Sequence, residues 1–169
     1  ELTPWTAPLF DEAVLGETPA QARLRNAACI LADIGWYVHP DYRAHHSLTQ
    51  ILLAPFSGVD HSGRLFLARV GYHRHEGRGE PELLGSLAGI LTETENYRAM
   101  VLGLALRLAF TLCAATTGML PKTRLEVTKT TITLVVPRRY EALLGEVVQR
   151  RLAALARAVD RKGETRVGR

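Results

Sequence analysis

Apolar residues recur at helical spacing through the first two thirds of the chain, then switch to strict alternation. Thr18-Pro19-Ala20-Gln21 has the composition of a helix start: Thr18 can cap, Pro19 suits the first helical position and Gln21 completes a capping box. Leu24, Ala27, Ala28, Leu31 and Ile34 follow on one face until Gly35 and Trp36. Pro40 then marks a linker before a second helix over Tyr42 to Leu53, and Pro55 to Gly58 is the next break. A third helix is predicted from a cap at Asp60 through Leu65, Phe66, Ala68 and Val70 to His75, stopping at Gly77. Gly77, Gly79 and Pro81 make a loop, followed by a short segment around Leu83 to Leu91. Thr92 and Glu95 form a second capping box ahead of the longest helix, which is expected to reach Thr117 and Gly118. Between Met100 and Ala115 it is apolar or small on every side apart from Arg107 and Thr111. That is too short and too polar for a membrane span, so the pattern predicts a buried core helix.

Period two replaces period 3.6 at Thr123-Arg124-Leu125-Glu126-Val127 and again at Thr131-Ile132-Thr133-Leu134-Val135-Val136, with a turn at Thr128-Lys129-Thr130 and Pro137 closing the second run. Two strands alone are marginal in water, so this hairpin must pack on something. A final amphipathic helix is predicted over Tyr140 to Val159, and Lys162 to Arg169 reads as a frayed tail. The expected fold is therefore mainly α, with a small two-stranded β-hairpin plus C-terminal helix as an α+β appendage. The expected division is a helical domain over 1–120 and a basic subdomain over 121–169.

Length and composition fit one ordinary globular domain: 169 residues, 47% hydrophobic and 22% charged. The net charge of +4 is uneven, since residues 121–169 hold twelve Lys/Arg against five Asp/Glu. Arg138, Arg139, Arg150 and Arg151 in this stretch could track a polyanion, and the alternative is an ordinary solvated face. No basic flank and apolar run mark a signal peptide, and a start at Glu1 reads as a fragment or a processed chain. Cys29 and Cys113 make no metal or disulfide pattern; two buried free thiols and a cytoplasmic setting are expected.

All six histidines, His39, His45, His46, His61, His73 and His75, fall between residues 39 and 75. Together with Asp33 they offer donors enough for a divalent ion. Their spacing argues against one, because His45 and His46 are adjacent and His73 and His75 are two apart, so neither pair shares a helix face. His75 near a helix C-terminus is favourable through the dipole alone. Arg107 in the most apolar stretch needs a carboxylate, and Asp33 is the first candidate, with Glu76 and Glu95 as alternatives. At His39, Asp41, Tyr42 and Arg43, one reading is a helix entry capped by Asp41 with Tyr42 packed inward; the other is an interdomain contact.

The run Ala27-Ala28-Cys29-Ile30-Leu31-Ala32-Asp33-Ile34-Gly35 resembles the helix that carries the His-Asp doublet of HD-family phosphohydrolases. In that family the doublet supplies two metal ligands, joined by an upstream histidine and a late aspartate. Here Ala32 stands at the histidine, no histidine precedes position 39, and Arg107-Leu108-Ala109-Phe110-Thr111 offers no carboxylate. Several further runs, in order, are similar to the C-terminal region of the exopolyphosphatase and guanosine pentaphosphate phosphatase (Ppx/GppA) family. They are Arg23-Leu24-Arg25-Asn26-Ala27-Ala28, Asp33-Ile34-Gly35-Trp36, His39-Pro40-Asp41-Tyr42-Arg43, Tyr72-His73-Arg74-His75-Glu76-Gly77 and Leu104-Ala105-Leu106-Arg107-Leu108-Ala109.

That resemblance implies an HD-like helical domain from an enzyme that removes terminal phosphates from polyphosphate. The catalytic glutamate, magnesium and glycine-rich phosphate loops of such an enzyme would lie in actin-like N-terminal domains. Gly77-Arg78-Gly79 follows a helix and is not such a loop. The chain is thus expected to hold no catalytic residues, cofactor or metal of its own. Its expected role is accessory: polyphosphate binding, regulation or dimerisation, with the N-terminal catalytic domains of the same polypeptide, inorganic polyphosphate and a second copy as partners. Asp33, His46, His73 and His75 would be a vestigial HD pocket. The alternative is a divergent metal-dependent HD phosphohydrolase acting on nucleotides. No aromatic-basic interleaving supports a nucleic-acid partner, and no membrane partner is expected.

Overall fold

The computed structural model describes residues 1–87 and 89–168. They form two compact units, Pro19–Leu104 and Glu1–Thr18 with Ala105–Arg169. The division differs from the expected one at residue 120. It falls within the long helix, and the N-terminal segment belongs with the β-strands.

The N-terminal segment contributes helix α1 (Leu2–Thr6) and a 3-10 turn, Ala7–Leu9. In Pro19–Leu104, helices α2 (Pro19–Ile30), α3 (Arg43–Leu53) and α4 (His61–Glu76) are followed by the first part of α5 (Glu93–Cys113). α4 is the centre of this unit, with α2 and α3 packed on it. Leu48 and Ile51 of α3 and Leu65, Leu67, Ala68 and Val70 of α4 are almost wholly buried. Gly103 lets α5 approach α4 closely: a Cβ there would stand 2.5 Å from the Cβ of His73 and 2.9 Å from the carbonyl oxygen of Val70. Two of the predicted caps form, at Asp60 and at Thr92. The Asp60 carboxylate accepts the Gly63 N–H at 2.7 Å, which holds its pKa below the ordinary value. Thr92 and Glu95 exchange bonds, Glu95 N–H to Thr92 Oγ1 at 3.2 Å and Thr92 N–H to Glu95 Oε2 at 2.8 Å.

The helix entry at residues 39–43 differs from expectation. The His39 ring, not Asp41, takes the capping position and accepts the Asp41 N–H at 3.4 Å, while Tyr42 is 67% exposed. Asp41 sits inside a 3-10 turn, Pro40–Tyr42, so it cannot cap α3. The segment after the Gly77 loop is a 3-10 turn, Glu82–Leu87; Ala88, within the short segment expected around Leu83 to Leu91, lies outside the described residues.

In the other unit, β1 (Arg124–Val127) and β2 (Thr131–Pro137) form the predicted antiparallel hairpin, with Leu125 opposite Leu134. After a 3-10 stretch, Arg138–Leu143, comes α6 (Glu146–Ala158), starting later than Tyr140. The expected frayed tail is instead a third strand, β3 (Lys162–Gly168), parallel to β2, so the sheet order is β1-β2-β3 with α6 as the crossover; Arg169 lies outside the described residues. The Lys-Gly-Glu-Thr-Arg-Val-Gly run carries no apolar alternation because β3 is an edge strand joined to β2 through its backbone, with most side chains exposed. Gly163 accommodates α6, since a Cβ there would lie 3.2 Å from both the Leu152 carbonyl oxygen and its side chain. Ile132, Leu134 and Val136 of β2 are fully buried, and Trp5 of α1 donates its Nε1–H to Thr123 Oγ1 at 3.0 Å. Among the described residues, no helix is long and apolar enough to cross a membrane.

Candidate functional site

The Asp33-Ile34-Gly35 corner follows a 3-10 turn, Leu31–Asp33, at the end of α2, and Gly35 turns the chain with φ of +84°. Three of the four proposed pocket residues adjoin it. The Asp33 carboxylate receives Arg74 Nη2 at 3.1 Å, and Arg74 Nη1 donates to His75 Nε2 at 2.6 Å. That nitrogen also lies 3.4 Å from the Ile34 carbonyl, which accepts the Ser47 hydroxyl at 2.9 Å. His46 sits beside Gly35, and its Nε2 bonds the Tyr37 hydroxyl at 2.8 Å.

Burial, reinforced by Arg74, pushes the His75 pKa down to about 4, so its ring is neutral near pH 7 and can accept from the guanidinium. His73 belongs elsewhere. It is fully buried, its Nδ1 donates to the Gly77 carbonyl at 2.7 Å, and burial lowers its pKa. It closes the C-terminal end of α4 as a neutral ring.

The partner of Asp33 is therefore Arg74 and not the expected Arg107. Arg74 is within reach by construction, since α4 packs on α2 inside Pro19–Leu104. Arg107 has a buried Nη1 without a hydrogen-bond partner among the described residues. Arg74 was legible in principle: it continues the buried α4 positions Leu67 and Val70 at seven and four residues, a polar residue on an apolar stripe.

A metal does not fit this corner. Its one carboxylate is held by a guanidinium that is only 7% exposed, and the adjacent imidazole lone pair faces the same cation, so a divalent ion would meet positive charge where ligands are needed. Among the described residues no group of three or more His, Cys, Asp or Glu side chains is arranged to hold a metal ion.

The basic residues lie in the other unit. Arg138 and Arg139 are exposed on the 3-10 stretch, where Arg139 stacks 4.8 Å above the Tyr140 ring and Lys122 donates to the Tyr140 hydroxyl at 3.2 Å, lowering its pKa. Arg150 is exposed on α6; Arg151 is half-buried, and desolvation lowers its pKa. At the other end of α6, a depression of about 730 Å3 is lined by residues that include Lys129, Arg157, Arg161 and Lys162. These four lie between positions 129 and 162, in three different elements, and no short motif marks them.

Sequence comparison decides the family. The family model described as "Exopolyphosphatase, C-terminal" matches residues 1–165. The chain belongs to this family of exopolyphosphatase C-terminal domains. No curated protein matches the sequence. The resemblance carried by Asp33-Ile34-Gly35-Trp36 and its companion runs thus extends over nearly the whole domain. The corner those residues build is held together by Arg74.

Proposed function

We propose that this exopolyphosphatase C-terminal domain is an accessory module that binds inorganic polyphosphate and leaves hydrolysis to other domains of the same polypeptide. The carrying observation is the exposed positive charge of the β-containing unit, where Lys129, Arg150, Arg157 and Lys162 all face solvent. A flexible polyanion gains from such a surface through many screened contacts and counterion release rather than through one deep pocket. The Asp33 corner supports the same division of labour. Its carboxylate is neutralised by a buried arginine, and its histidine, with a pKa pulled down to about 4 and its Nε2 on the same guanidinium, is too weak a base, so neither is set up to activate water. Magnesium would be bound by the catalytic domains.

The test is phosphate release from long-chain polyphosphate, and separately from nucleotides, by the purified chain with magnesium. No release above the protein-free rate is expected. Release by the chain that His73→Ala abolishes would contradict the accessory reading and favour a divergent HD phosphohydrolase.

A further inference from the structure

We propose that polyphosphate docks on this domain at the depression formed by the β1–β2 turn, the C-terminal end of α6 and the start of β3, and not on the Arg138–Arg139 surface. The proposal rests on the polyphosphate-binding reading above and assigns its site.

Lys129, Arg157, Arg161 and Lys162 bring four cations to the depression, and among the described residues that line it Asp160 is the one carboxylate. Arg161 is held in place from two sides. Its Nε donates to the Thr128 carbonyl at 2.7 Å and its Nη1 to the Val159 carbonyl at 3.0 Å, which leaves Nη2 to serve an anion. Arg157 uses Nε on the Ala153 carbonyl of its own helix at 3.3 Å and keeps both terminal nitrogens. Lys129, at the tip of the turn, makes no ion pair among the described residues, while Lys162 is shared with Glu164 at 3.3 Å. A fixed guanidinium loses little side-chain freedom on binding, so its contacts with phosphate oxygens cost less than those of a free surface arginine.

The shape favours a chain of phosphates over a single one. Arg150 is exposed on α6 seven residues before Arg157, which places it on nearly the same helix face and about 10 Å further along the axis. A linear polyanion seated over Arg157 and Arg161 can therefore extend along α6 to Arg150. The Arg138–Arg139 surface lacks this preparation: Arg139 already lies on the Tyr140 ring, and Lys122 is engaged with the hydroxyl of the same tyrosine.

Titration of long-chain polyphosphate and of tripolyphosphate into the purified chain at low salt tests the assignment. The variants are Lys129→Glu/Arg157→Glu and, as a comparison, Arg138→Glu/Arg139→Glu. All four side chains are exposed, and circular dichroism checks that each variant is folded. The first variant should weaken long-chain binding at least about tenfold, while the second should change it less than about threefold. Tripolyphosphate should bind more weakly than the long chain, because it cannot reach Arg150. Wild-type binding with an unchanged Lys129→Glu/Arg157→Glu variant would overturn the site and leave the binding reading standing. No binding of long-chain polyphosphate by the wild-type chain would overturn the binding reading itself, and the site with it.

Discussion

Arg74 is the residue on which the Asp33 corner turns, because its side chain touches both Asp33 and His75. The guanidinium is buried while the Asp33 carboxylate is 56% exposed, so the pair combines one desolvated and one hydrated end. Arg74→Ala should therefore destabilise the chain by about 2 kcal/mol, below the cost of breaking a fully buried pair, as measured by urea unfolding. A change within about 0.5 kcal/mol would mean that the pair is incidental. His75 makes a pH prediction. Its folded pKa of about 4 lies below the ordinary 6.5, so the unfolded chain takes up a proton that the folded chain refuses. The sign is fixed: above about pH 6.5 the group contributes nothing, and stability falls as pH drops from there towards 4. Unfolding midpoints of wild type and His75→Gln measured across that window should converge at low pH, with the variant showing the shallower slope. Parallel curves would contradict the neutral buried ring.

Elements fix where these side chains stand, and Gly103 is the tightest constraint on them. Gly103→Ala would put a methyl group against the backbone of α4 at Val70 and Arg74, neither of which can move as a side-chain tip can. The expected loss is about 1–3 kcal/mol despite the better helix propensity of alanine, and a stabilised variant in thermal unfolding would refute the close approach. β3 supports a second expectation. Ending the chain after Arg161 removes the strand that pairs with β2, so amide exchange over Thr131–Pro137 should accelerate. Unchanged protection would show that β2 does not depend on that edge.

The elements also show what periodicity can reveal. α3, α4 and the hairpin were legible because burial on one face imposes 3.6 or two-residue spacing, and the Asp60 and Thr92 caps because their chemistry is local. β3 was not legible, since an exposed edge strand has no face to bury. The Asp33–Arg74 pair was missed for a different reason: a partner 41 residues away is chosen by packing, and the sequence offers several arginines of equal chemical merit.

At the scale of the whole molecule, charge and fold are unevenly distributed. The Asp33 corner and the caps belong to Pro19–Leu104, while the basic stretch 121–169 belongs to the unit with the sheet. The division was invisible in sequence because Glu1–Thr18 joins a unit whose remainder begins at Ala105. Family membership was legible from short runs that build the corner; the basic depression was not, since its cations come from a turn, a helix end and a strand start. The central claim is that this domain holds polyphosphate electrostatically. Its most direct test is the affinity of the purified chain for long-chain polyphosphate measured over a range of salt concentrations. The account predicts binding at low salt and a linear fall of log affinity with log salt, with a slope corresponding to about three or more neutralised phosphates. Absence of binding at low salt, or an affinity that salt leaves unchanged, would contradict it.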